Sequence, residues 1–160
     1  MEASRWILLG YRLPREPSTP RITLWRKLRR LGVVQLLDSL AALPLDSRNR
    51  EQLEWLADEI VEAGGEASLW VADATSAAQE RDLINRLTAA IGSEYAAVRA
   101  EALGVAEGDN TARLRAHRRL RRDLRRIADR DYFPPPEREL ARDAVEALAT
   151  AAELTEEVTE

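Results

Sequence analysis

The chain contains no cysteine. Disulfides, thiolate metal sites and a cysteine nucleophile are therefore excluded, and the composition fits a cytoplasmic setting. It has one histidine, His117, so a zinc site or a histidine-based acid–base pair has no second partner to draw on. No stretch approaches the roughly 20 apolar residues that span a bilayer, and no membrane partner is expected. The opening MEASRW lacks the basic flank of a signal peptide. Also missing are a glycine-rich phosphate loop, a Gly-x-Ser-x-Gly elbow and a His-Glu-x-x-His pair. We expect no enzyme, no catalytic residue, no metal and no cofactor. Lysine is reduced to Lys27 alone; every other basic side chain except His117 is arginine.

What is present is segregated charge. The net charge is −4, yet residues 1–30 carry eight basic and two acidic side chains, and residues 110–133 carry nine arginines and three aspartates. Residues 46–109 and 134–160 are acidic, at −9 and −6. Two basic segments thus alternate with two acidic ones. Such a pattern can bind a polyanion, or the basic and acidic helices can neutralise one another.

Hydrophobic periodicity orders the elements. Trp6–Leu13 reads as a buried strand closed by Pro14 and Pro17. Ser18-Thr19-Pro20 opens a helix in which Ile22, Trp25, Leu28 and Leu31 recur at helical spacing, and Gly32 stops it. Val33–Leu37 and Leu40–Leu43 read as short strands around Asp38-Ser39. Asp46-Ser47 begins a second helix with Leu53, Leu56, Ala57, Ile60 and Val61 inward, ended by Gly64-Gly65; Ala67–Ala72 is the next strand. The order β-α-β-β-α-β predicts an α+β fold with a ferredoxin-like core, both helices on one face of a four-stranded antiparallel sheet.

An all-helical extension follows: helices over 76–91, 93–105 and 111–129, then a rigid Phe133-Pro134-Pro135-Pro136 turn. The last helix should bury Leu140, Ala144, Leu148, Ala151 and Leu154. Residues 1–75 are expected to form the core and 76–160 an extension packed on it as one structural unit. The four tryptophans are expected mostly in the interior.

The segments WILLGYRLPREPS, TPRITLWRKLRRLG, VVQLLDSLAALP and REQLEWLADEIVEAGGEASLWVAD, with DRDYFPPPERELA beyond them, resemble the N-terminal domain of the ChrB chromate-resistance regulators. The resemblance covers about residues 6–145. It implies regulation of chromate-resistance genes in a bacterium, with DNA as partner, chromate as effector and a homodimer as the assembly. Members of that family usually carry a second, C-terminal domain, so the resemblance leaves open whether the effector binds these residues or that domain.

The core is also similar to small CRISPR-associated nucleases and to the C-terminal domain of PaaX-type regulators. The nucleases place a metal-binding Asp after the first strand's Tyr. Here that position is Arg12, whose guanidinium repels a divalent cation. A metal-dependent nuclease would need Asp38 or Asp73 to gather with a symmetry mate.

Candidate residues follow from the basic segments. Arg26, Lys27, Arg29 and Arg30 are the expected phosphate contacts of the first helix. Arg118, Arg119, Arg122, Arg125 and Arg126 are those of the Arg-rich helix, opposite an inner side of Leu114, His117, Leu120, Arg121, Leu124 and Ile127. Arg12, Arg15 and Arg21 could hold an oxyanion, which a planar donor fork fits well. The alternative is a non-DNA-binding dimerisation module whose arginines are absorbed in salt bridges.

Overall fold

A computed structural model describes residues 5–159, with side chains as far as Leu154. The elements run β1 (Arg5–Arg12), α1 (Thr19–Leu31), β2 (Val34–Leu37), β3 (Leu40–Pro44), α2 (Ser47–Glu62), β4 (Glu66–Asp73), α3 (Ala77–Val105), α4 (Asn110–Ala128) and α5 (Glu137–Thr159). They form two compact units, one up to Leu87 and one from Thr88, with α3 running through the boundary.

The first unit has the expected α+β core: a four-stranded antiparallel sheet in the order β2-β3-β1-β4. β1 is apolar because it is flanked by strands on both sides, and Trp6, Ile7 and Leu9 are buried. The pleat places Ile7 and Leu9 beside Leu43 and Ala41 on one face. α2 packs across β1 and β4 and meets α1, burying Leu53, Leu56 and Ile60 together with Leu24 and Leu28. On the other face Trp6, Ala42 and Val34 are buried, whereas Ser68 and Trp70 towards β4 are open.

Local signals set the boundaries. Gly32 takes the left-handed conformation (φ 75°) that ends α1, donating to the Arg29 carbonyl, while Val33 N–H reaches the Leu28 carbonyl. Asp46 caps α2 by accepting from Asn49 N–H at 2.6 Å, and buried Asn49 donates from Nδ2 to the Pro44 carbonyl. Asp109 caps α4 in the same way through Ala112 N–H.

The second unit has its own helical core, built from Ile91, Tyr95, Val98 and Ala102 of α3, Ala116, Leu120 and Ile127 of α4, and Ala141, Val145 and Leu148 of α5.

Several expectations are corrected. The helices over 76–91 and 93–105 are one, α3, of 29 residues. Gly92 does not break it; the Glu137 carboxylate of α5 lies close by, 3.3 Å from where a Cβ would stand. The buried stripe of α5 is Ala141, Val145, Leu148 and Ala152, rotated from the expected one, and Leu140 is exposed. Val61 of α2 and Arg121 of α4 face outward. Of the tryptophans only Trp6 is interior; Trp25, Trp55 and Trp70 are each more than half exposed.

Candidate nucleic-acid and anion interface

α1 follows β1 through a proline-rich turn and buries only Leu24 and Leu28, leaving its basic residues outside. Arg26, Arg29 and Arg30 are exposed. The Arg29 guanidinium lies 4.7 Å from the Trp25 ring centroid, a cation–π contact that fixes an otherwise mobile side chain. Arg29 and Arg30 also occupy the last turn, where cations complement the helix dipole. Lys27 differs from its neighbours: its Nζ donates to Glu59 of α2 at 2.6 Å, so it ties the two helices together.

Between the end of β1 and the start of α1 lies a cleft of about 510 Å³. Arg12 and Arg21 line it with the hydroxyl residues Tyr11, Ser18 and Ser39 and with one acid, Asp38, against an apolar wall of Leu13, Ile22, Leu24 and Trp25. Two of the three expected oxyanion residues are therefore brought together. Arg15 lies in the exposed turn and is not part of the lining. Arg12 already pairs with Glu66 across the sheet, and both side chains are largely exposed. Beside the cleft Gln35 donates from Nε2 to the Leu37 carbonyl at 2.8 Å and to the hydroxyl of the lining residue Tyr11 at 3.2 Å. Tyr11 N–H in turn reaches the Ser39 carbonyl. The β2–β3 hairpin is thus fastened to β1.

In the second unit, α4 carries the densest charge. Leu120, Ala116 and Ile127 face inward and the arginines from Arg115 to Arg126 fall outside, whereas Arg113 is half-buried and donates to the Ala106 carbonyl and to Asn110. Three are taken up by acids: Arg119 pairs with Glu101 at 2.6 Å, Arg126 with Asp123 and Arg121 with Glu146. His117, mostly buried, faces Glu146 at 3.5 Å, as a packing residue of the inner side would. Arg115, Arg118, Arg122 and Arg125 are exposed and have no ion pair among the described residues. Their spacing of three, four and three puts them on one side of the helix, along about 15 Å at 1.5 Å per residue. Of the five expected α4 contacts, then, Arg118, Arg122 and Arg125 stand together, while Arg119 and Arg126 are engaged.

A polar network anchors the turn after α4. Tyr95 donates to Asp131 at 2.8 Å, Arg138 approaches the same oxygen at 3.7 Å, and Arg130 grips Glu94 through two bonds of 2.6 and 2.7 Å. Burial and the bond to Asp131 push the Tyr95 hydroxyl up to about 12. The Glu94 bonds raise Arg130 above its ordinary value. Sequence reasoning did not find this network: Tyr95 and Asp131 lie 36 residues apart with no motif linking them.

Comparison with known proteins agrees with the resemblance seen in the sequence. A family model described as Protein ChrB, N-terminal, matches residues 21–160. Protein ChrB of Cupriavidus metallidurans is 32% identical over 136 residues, covering 81% of this chain and 40% of that protein. The chain thus spans well under half the length of that relative. No solved structure matches it.

Proposed function

The chain belongs to the ChrB N-terminal family, and from that premise we propose that it is a chromate-resistance regulatory module that binds DNA and acts by binding rather than by catalysis. The observation that carries this reading is the row of exposed arginines on α4, Arg115, Arg118, Arg122 and Arg125, which have no ion pair among the described residues. Exposed guanidinium groups with no acid paired to them among the described residues are poised to neutralise phosphates and release counterions. Arg26, Arg29 and Arg30 of α1 offer a second set of contacts. In this reading chromate, a tetrahedral oxyanion, is taken by Arg12 and Arg21 in the cleft at the end of β1, where the Ser18 and Ser39 hydroxyls stand beside the guanidinium groups and the two cations outweigh the single acid Asp38.

The test is binding to a labelled duplex of the gene's own upstream region over a salt series, with chromate or sulfate added. Each phosphate contact contributes about 0.9 to the slope of log affinity against log salt. Replacing Arg118, Arg122 and Arg125 by Gln should therefore lower the slope by about 2.7. Release by chromate but not by sulfate supports the effector assignment, and replacing Arg21 by Gln should abolish that release. Absence of binding at low salt overturns the DNA reading.

A second reading is favoured by the pairs Lys27–Glu59, Arg119–Glu101 and Arg121–Glu146. They show the acidic segments already absorbing part of the basic charge. On that reading the chain is an interaction module, and its arginines stabilise its own helices.

A further inference from the structure

The two rims of the sheet are finished differently. β2 has four residues, its pairing with β3 is irregular between Gln35 and Leu37, and Arg86 donates to the Gln35 carbonyl at 2.6 Å. β4 has eight residues, all paired in unbroken register with β1. No backbone hydrogen bond from a described residue reaches its outer side.

Natural edge strands are blunted by lysine, proline, bulges or a covering segment, because a free row of N–H and C=O groups templates another strand. Between its terminal acids β4 reads Ala67-Ser68-Leu69-Trp70-Val71-Ala72, with no lysine, no proline and no bulge. Trp70 and Val71, on opposite faces, are 63% and 41% exposed. The two terminal acids are already matched from β1, Glu66 by Arg12 and Asp73 by Arg5.

We propose that β4 pairs antiparallel with β4 of a second copy of the chain, about a two-fold axis at Trp70, so that two four-stranded sheets become one. In that register Trp70 meets its own counterpart, Leu69 meets Val71, and Ser68 meets Ala72. Glu66 runs past the end of the facing strand. A two-fold axis normal to the sheet keeps each residue on its own face, and opposed residues of an antiparallel pair share a face, so the axis passes through a residue position and not between Leu69 and Trp70. Centring it on Leu69 would part the two indoles and lose an aromatic pair. The occupant is a second copy because the strand is complementary to itself: its charges lie only at the ends, where β1 neutralises them, and its centre is apolar. A two-fold pairing of this kind is closed, so it stops at the dimer.

The absence of cysteine makes the register directly testable. Single-cysteine chains Trp70→Cys, Ser68→Cys and Ala72→Cys are oxidised with a copper–phenanthroline catalyst, and circular dichroism checks that each is folded. Facing residues of an antiparallel pair lie within disulfide reach, about 4.5–5.5 Å between Cα atoms. We expect rapid conversion of Trp70→Cys to a species of twice 18.0 kDa. Ser68→Cys and Ala72→Cys should cross-link when mixed but not separately. Equal cross-linking at the three positions, or none, overturns the proposal. The result is independent of whether the chain binds DNA.

Discussion

Two residues show how much a single atom decides in this fold. Gly65 follows α2 and enters β4, and a Cβ built there would lie 2.3 Å from the Arg12 carbonyl and 2.9 Å from side-chain carbons of Ile60 and Leu13. The nearest neighbour is backbone and cannot swing away. Gly65→Ala should therefore cost about 1–3 kcal/mol, as overpacking does. Gly104, near the end of α3, has nothing within 4 Å, so Gly104→Ala should be neutral or stabilising by up to about 1 kcal/mol. Urea titration of both variants would check the contrast.

Tyr95 makes a prediction about pH. Its hydroxyl is held up to about 12 in the folded chain, against 10 when unfolded. The folded state keeps a proton that the unfolded state releases between those values. That contribution to stability is complete below pH 10 and is lost as pH rises towards 12. Tyr95→Phe should remove this part of the alkaline slope. It should also lower stability at neutral pH by about 1–3 kcal/mol, since Asp131, only 1% exposed, loses a donor. Denaturation midpoints of the two proteins from pH 8 to 11.5 should converge at the alkaline end.

At the scale of elements, the legible part of the sequence was the part with local punctuation. Pro14 and Pro17, Ser18-Thr19-Pro20, Gly32, Asp46 and Gly64-Gly65 each force a backbone event, and the β-α-β-β-α-β order follows from them. Gly92-Ser93 looked like the same kind of punctuation but lies inside α3, where packing against α5 rather than propensity decides. Periodicity does not fix the α5 stripe because alanine is small enough to sit on either side of a helix. Tertiary packing chose Ala141, Val145 and Ala152, a face with less bulk than the one through Leu140 and Leu154.

The tryptophans failed for a related reason. Trp25 and Trp55 occupy helical positions that periodicity assigns to either flank, and Trp70 alternates correctly along β4 but onto the face that stays open. Of the candidate site, residue types and helices were readable. Which arginines find acids was not, because Arg119–Glu101 and Lys27–Glu59 join side chains from different helices.

At the scale of the molecule, a protein with a pI near 5.3 is repelled as a whole by a polyanion, so any affinity for DNA must come from segregation rather than from net charge. Over a Debye length of about 8 Å at physiological ionic strength, a phosphate near α4 senses the local arginines more than the distant acids. This leads to an expectation of dual retention at pH 8. The acidic segments should hold the chain on an anion exchanger, while the exposed arginine row should hold it on heparin. Changing Arg115, Arg118, Arg122 and Arg125 to Gln makes the chain more acidic and should strengthen the first retention while weakening the second. If heparin instead fails to retain the unaltered chain at low salt, the neighbouring acids screen the row even at close range, and the interaction-module reading takes precedence over the DNA-binding one.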